Sequence, residues 1–271
     1  MLGEIYKPKG LALETASAVL EVKNPYALNV ALGCSNGCKY CYVPRFTHRA
    51  KNNCQVRLPQ KPPIDLARRQ LETEPLFHWT SDIGVFLSFL TDPFLPEAHT
   101  RKFTTDDLIR MLIRDYGIRV ATLSKLATPG LSGARVGMTI VSLDDEFWQK
   151  YEPNTTPPEA RLVSLHTKKK EFGDYVWVSM EPYPPSAIYK QNLKALLEEL
   201  AFVDLIVFGK WNYNKRARTE EARREYAENV DVLTDFCKEQ DIRLYVKSDT
   251  MAFAYPDRKD PHETLPWNEY E

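Results

Sequence analysis

The chain has 271 residues, 37 acidic against 36 basic, a net charge of −1 and 43% apolar content, the composition of an ordinary globular protein large enough to bury a core without disulfide staples. No apolar run approaches the roughly 18 residues of a membrane-spanning helix, and the balanced charge argues against a surface that coats nucleic acid broadly. The opening Met1-Leu2-Gly3-Glu4-Ile5-Tyr6-Lys7 lacks the apolar core of a secretory leader, so the five cysteines are expected in a reducing cytoplasm.

Residues 1–26 show little apolar periodicity and end in Asn24-Pro25-Tyr26, which reads as an irregular lead-in. A first strand over 27–32 then delivers Gly33-Cys34-Ser35-Asn36-Gly37-Cys38-Lys39-Tyr40-Cys41, three cysteines spaced C-x-x-x-C-x-x-C. Thiolates are ligands for soft iron and zinc, and a short loop lets several sulfurs reach one centre. Three ligands leave a structural zinc site one short, and no second C-x-x-C or H-x-x-x-H pair follows. A [4Fe-4S] cluster on Cys34, Cys38 and Cys41 would instead leave one iron open to a substrate or cosubstrate, with a zinc knuckle as the alternative. Gly33 and Gly37 suit a loop whose backbone approaches inorganic sulfide closely. Beyond it, Arg45, His48, Arg49, Lys51 and Arg57, with Phe46 among them, read either as a phosphate grip or as a solvated loop. Cys54 reads as a spare thiol or a hydrogen-atom donor.

Strands and helices then alternate. A helix over 64–71 precedes a β-branched and aromatic strand over 84–90, which empties into the turn Thr91-Asp92-Pro93-Phe94-Leu95-Pro96-Glu97. Thr104 caps a helix that runs to about Tyr116, followed by strands over 118–123, ending at Ser124-Lys125, and over 135–141, ending at Ser142. Asp144 starts the next helix, and strands over 175–180, 204–208 and 242–246 end at Glu181, Gly209 and Lys247. The helices between them, over 188–200 and 219–239, carry core-facing stripes such as Leu193, Leu196, Leu197 and Leu200, and Cys237 in the latter reads as a small buried hydrophobe. Polar residues gathered at successive strand ends point to an α/β fold with a parallel, curved sheet. Its division is a lead-in over 1–26, one domain over 27–252 and a tail over 253–271. On the strand count, Glu181 and Lys247 both point into the mouth of the sheet, where each needs a partner. Trp177, Tyr183, Trp211, Tyr213, Lys210 and Arg216, near strand ends, are candidates to stack on and neutralise a nucleotide, or else packing.

The cysteine loop resembles that of the radical S-adenosylmethionine superfamily, C-x-x-x-C-x-aromatic-C, with Tyr40 in the aromatic place. Thr91-Asp92-Pro93-Phe94-Leu95-Pro96-Glu97 is similar to the T-D-x-Y-Q-P-x-E signature of its spore photoproduct lyase-like branch, departing at Phe94 and Leu95, and Glu152-Pro153 with Pro158 and Arg161-Leu162 resembles that branch's E-P-x-x-x-x-P-x-x-R-L element. The second half, with its S-x-E-P turn and terminal x-V-K, also looks similar to an uncharacterised phage-associated radical S-adenosylmethionine family. The resemblance implies a partial (β/α)6 TIM-like barrel with an extra C-terminal strand and a [4Fe-4S] cluster on Cys34, Cys38 and Cys41. It implies S-adenosylmethionine held with help from Tyr40, Thr91, Asp92, Ser142 and Arg161, and reductive cleavage to a 5'-deoxyadenosyl radical that takes hydrogen from a substrate. It implies an electron donor such as flavodoxin or ferredoxin; the founding member of the lyase branch repairs a thymine dimer in DNA, which makes a nucleic acid or nucleotide one candidate substrate, while the departures at Phe94 and Leu95 leave the substrate itself unread. Glu181 and Lys247 are the catalytic candidates. The competing class is a non-enzymatic iron-sulfur or zinc protein that binds nucleic acid or a partner.

Overall fold

A computed structural model describes residues 2–46, 55–79, 82–101, 103–127 and 133–258. Among these residues eight strands form one open sheet that follows chain order. β1 (Ile5–Tyr6) pairs antiparallel with β2 (Asn24–Leu28), and β3 (Ile83–Leu87), β4 (Arg119–Ser124), β5 (Arg135–Thr139), β6 (Val176–Tyr183), β7 (Leu205–Lys210) and β8 (Arg243–Val246) are added in parallel, each beside its predecessor. Parallel neighbours need crossovers. These contain α2 (Val43–Phe46), α3 (Pro63–Thr73), α4 (Pro75–Trp79), α5 (Thr105–Arg114), α6 (Asp145–Tyr151), α7 (Pro158–Phe172), α8 (Leu193–Glu199) and α9 (Glu220–Glu239), and α10 (Ser248–Ala254) follows β8. The result is the partial, unclosed barrel, with the extra strand expected over 242–246 observed as β8.

The pleat sorts the strand residues into two cores. Val85, Leu87, Val120, Val136, Met138, Val178, Met180, Ile206 and Phe208 pack outward with helix residues such as Leu108, Leu112, Leu165, Leu197 and Leu233. Ala27, Phe86, Ala121, Trp177, Leu205 and Val207 face the concave side, where they meet Ala16, Val19 and Leu20.

Those last three residues belong to α1 (Leu11–Leu20), which corrects the reading of 1–26 as an irregular lead-in. Leu-Ala-Leu-Glu-Thr-Ala-Ser-Ala-Val-Leu is made largely of good helix formers, but much of it is small, so the buried face of Thr15, Ala16, Val19 and Leu20 was hard to see as an apolar stripe. Small residues are what let a helix enter the concavity of a sheet. Arginines from the sheet then take up the carbonyls at its end: Arg135 Nη1 donates to Val19 O at 2.6 Å, and Arg119 Nη1 to Leu20 O at 2.7 Å. The Glu21 carboxylate pairs with Arg135 and Arg243. Glu14 accepts from Tyr245 Oη at 2.9 Å and from Ser248 Oγ at 2.6 Å. Thus α1 lies on β2 and β3 yet is tied to β8, bracing the open sheet across its two edges.

The strand expected over 27–32 ends at Leu28, because Asn29 leaves the ladder to accept the backbone N–H groups of Phe89 and Leu90 with its side chain, at 2.8 and 3.0 Å. Among the described residues no helix is long and apolar enough to cross a membrane.

Candidate functional site

The cysteine loop sits at the C-terminal edge of the parallel strands. Gly33 is at φ +91°, and a Cβ there would lie 2.3 Å from the carbonyl oxygen of Gln55, so only glycine fits. Its carbonyl accepts from Thr91 Oγ1 at 2.6 Å. Asp92 is buried and accepts four donors: Asn36 Nδ2 at 3.1 Å from the loop, Phe94 N at 3.1 Å from its own turn, and Ser124 Oγ and Lys125 N, both at 2.8 Å, from the end of β4. With both oxygens so engaged, Asp92 clamps the loop to the sheet, which is the turn-fastening role of a carboxylate and not an open contact for a ligand amine. On the other flank, Lys39 N donates to Tyr151 O at 3.0 Å and Asn154 Nδ2 to Ser35 O at 3.2 Å.

Cys34, Cys38 and Cys41 are half-buried and unbridged. Burial pushes the Cys34 thiol up to about 11 and Cys38 up to about 12, and the sulfurs are close enough to raise one another. Among the described residues no three ligand side chains converge on a single-ion position. Three thiol donors gathered in one loop are the soft donor set that an iron–sulfur cluster takes. Lys125, absent from the expected set, stands beside them: its Nζ lies 5.4 Å from the centre of the Tyr40 ring and 3.3 Å from Thr139 Oγ1. Burial pulls its pKa down, but Cys38 and Glu152 outweigh that and leave it raised. Its position directly after a strand end was the only signal available.

Tyr40 does more than flank a cysteine. Its hydroxyl donates to Glu152 Oε1, and Glu152 Oε2 accepts from Arg161 Nη2. Burial, then the Glu152 charge, holds the phenol well above its usual range. Arg161 is 1% exposed and its other nitrogens are also engaged, Nε by Thr156 O and Nη1 by Thr139 O. The expectation that Arg161 meets a methionyl carboxylate, or else forms a pair on a helix surface, is therefore corrected: it is a buried strut between α7, β5 and the cysteine loop. The Tyr40 ring sits 5.2 Å from Trp211, which meets Tyr151 at 5.2 Å and Phe147 at 6.3 Å, an aromatic wall against which the loop rests. Ser142, buried just past β5, accepts from Asp144 N at 3.2 Å.

Across the mouth, Lys247 Nζ donates to both oxygens of Glu181, at 2.9 and 2.8 Å. Gly209 lies between their strands, where a Cβ would come within 2.7 Å of Glu181 Cγ and 3.1 Å of Lys247 Cδ. Lys210 Nζ bonds Asn212 Oδ1 and Asp249 Oδ2, both at 2.6 Å. Burial would raise Asp249, but the Lys210 hydrogen bond and charge prevail and lower it. Of the aromatic candidates, Trp177, Tyr183 and Trp211 are buried packing, while Tyr213 is 42% exposed with the Arg45 guanidinium 4.6 Å from its ring centre. Lys215, Arg216 and Arg218 are exposed beside it, and Arg57 is exposed near the loop. Cys237 is buried in α9. His48, Arg49, Lys51 and Cys54 lie outside the described residues.

The sheet has the fold of the radical S-adenosylmethionine enzymes. The chain superposes on a spore photoproduct lyase complexed with dinucleoside spore photoproduct at a TM-score of 0.56 and 16% identity, over 82% of this chain and 76% of that one. It superposes on Streptococcus suis SuiB bound to S-adenosylmethionine at 0.55 and 14%, over 85% of this chain and 48% of that one, and on methylornithine synthase (PylB) at 0.51 and 10%, over 90% and 77%. No family model matches the sequence. The chain is 30% identical over 237 residues to the uncharacterized protein ORF301 of Acidianus two-tailed virus, covering 80% of this chain and 77% of that protein, and it belongs to the same family.

Proposed function

We propose that this protein is a radical S-adenosylmethionine enzyme, with Cys34, Cys38 and Cys41 holding a [4Fe-4S] cluster at the mouth of the partial barrel. The observation that carries the reading is the gathering of three unbridged, half-buried cysteines at the C-terminal edge of a parallel sheet, in a loop clamped by Asp92 and walled by Tyr40. When bound, the cluster and its cosubstrate supply one-electron cleavage of the sulfonium to a 5'-deoxyadenosyl radical, which takes a hydrogen atom from the substrate. The chain's part is to position and shield. Lys125 and Ser142, at the ends of β4 and β5, are the polar groups offered to the cosubstrate there, while Thr91, Asp92, Tyr40 and Arg161 hold the walls in place. Glu181 and Lys247 face the substrate across the mouth. The electron comes from a carrier such as flavodoxin or ferredoxin.

The substrate class we infer is nucleic acid or a nucleotide. Its support is the rim, where the Arg45 guanidinium lies over exposed Tyr213 and exposed Lys215, Arg216 and Arg218 follow it in the chain, cations for phosphates beside a ring for stacking. Tyr213 holds a left-handed backbone at φ 62°, an uncommon conformation for a bulky residue on a surface.

Anaerobic reconstitution followed by dithionite and S-adenosylmethionine tests the reaction. The parent is expected to bind iron and form 5'-deoxyadenosine, and Cys38→Ala to lose both, with Cys237→Ala unaffected. A parent that loads iron but forms no 5'-deoxyadenosine would leave the non-enzymatic iron-sulfur protein as the better reading. Anisotropy of a labelled single-stranded oligonucleotide, with its salt dependence, tests the rim in the same preparation.

A further inference from the structure

Phe89 is among the partly buried side chains that border the apolar cluster of the concave face. Phe86 is fully buried on the concave face, and Phe89 lies on it in a parallel stack, with ring centres 4.5 Å apart and planes within 8°. Trp177 packs against the same Phe86 at 6.0 Å, and α1 closes the space beneath with Ala16, Val19 and Leu20. Phe89, unlike Phe86, keeps part of its surface open. It is also held firmly: Asn29 Oδ1 accepts its N–H at 2.8 Å, and its carbonyl accepts from Tyr42 Oη at 2.5 Å. Tyr42 follows the last cysteine of the loop and is near enough to Glu181 to feel its charge. A fixed, part-open ring thus stands at the concave cluster, tied by its carbonyl to the tyrosine that follows the last cysteine.

We propose that Phe89 is a specificity-determining residue, the platform on which a nucleobase-sized heteroaromatic ring of the substrate stacks inside the lumen. The inference rests on the radical-enzyme reading for the meaning of the lumen, but its ligand chemistry comes from the residues themselves. Stacking on an aromatic face selects a planar group and tolerates any base. The Glu181 carboxylate and Lys247 ammonium, 2.8 Å apart, present an acceptor and a donor side by side, the complement of the adjacent N–H and C=O on a base edge.

The test is saturation-transfer NMR on the oxidised, cluster-loaded protein saturated with S-adenosylmethionine, titrated with thymidine, cytidine or ribose. Thymidine or cytidine is expected to receive saturation at its ring protons, and ribose to receive none. Phe89→Leu should weaken nucleoside binding at least tenfold, and Phe89→Trp should restore it to within about threefold of the parent, with the melting temperature of each recorded. Equal nucleoside affinity in parent and Phe89→Leu overturns the proposal, as does ribose binding as well as the nucleosides, or no nucleoside binding to the parent. Dithionite-driven 5'-deoxyadenosine formation without nucleoside, measured on the same samples, reports separately on the proposed reaction: its absence would sink that reading while the binding data still judged Phe89.

Discussion

The two sides of the barrel mouth handle charge in opposite ways. On the side of β3, β4 and β5, ionisable groups are sunk into the protein and fully engaged: Asp92 accepts four donors, and Arg161 and Glu152 are 1% and 3% exposed at their side chains. On the side of β7 and β8 the pairs are looser. Lys247 and Glu181 are 10% and 25% exposed, Lys210 and Asp249 15% and 26%, and the rim beyond them carries exposed Arg45, Lys215 and Arg218. A buried network holds one geometry, because every alternative leaves a charge unpaired. Part-solvated pairs can exchange partners at little cost. The first side thus holds the cysteine loop in one geometry, while the second can exchange partners, as the proposed contact with substrate requires.

The largest expected effect breaks the rigid side. Arg161→Ala strands the Glu152 carboxylate, buried and still facing Tyr40, and should cost about 3 to 5 kcal/mol of stability, as removal of one partner of a buried pair does. Chemical denaturation of the variant measures it. Adding Glu152→Gln should recover part of the loss, since the stranded charge is then gone. A cost under about 1 kcal/mol would mean that the network is solvated, and the contrast between the two sides would collapse.

The second prediction sharpens the looser side. Replacing both partners, Glu181→Gln with Lys247→Met, removes the charges together and leaves none stranded, so it should change stability by about 1 kcal/mol or less. Nucleoside binding should fall at least tenfold at the same time. A large drop in melting temperature with binding intact would make the pair a clasp that closes the sheet, and would transfer it to the rigid side.

How much of this was legible in the chain follows from how local each signal is. The three cysteines, Gly33 and the strand ends at Ser124, Glu181 and Lys247 announce themselves within a few residues, because a loop motif and a period-two strand are local facts. The bond from Tyr40 to Glu152 joins residues 112 apart, and nothing local shows that Arg161, which the resemblance places at a ligand carboxylate, is taken up by Thr139 O and Glu152 instead. The placement of α1 was equally out of reach: Ala16, Val19 and Leu20 show a helix would be small, but only the open concavity of the finished sheet explains where such a helix goes. Phe89 looked like one more apolar strand residue until the ring stack gave it a face.

The smallest expected effect lies away from the mouth and sets a baseline for both sides. Lys168 on α7 is buried with Asp174, and Asp106 on α5 is close enough to feel its charge, with His99 and Arg110 also facing Asp106. Burial pulls Lys168 down and pushes Asp174 and Asp106 up, only partly offset for Asp174 by Gly133 N–H and Lys168. A carboxyl whose folded pKa lies above its unfolded value of 3.8 binds its proton more tightly when folded, so the stability it contributes is present below that value and lost as pH rises through the folded one. Asp174→Asn cannot lose a proton. Its melting temperature relative to the parent should therefore rise as pH increases from about 3.8 toward neutrality, the opposite of what removing a favourable ion pair would do. If the difference instead falls with pH, Lys168 holds Asp174 charged more strongly than burial resists it, and a buried pair far from the site would be as tightly coupled as the one that fixes the cysteine loop.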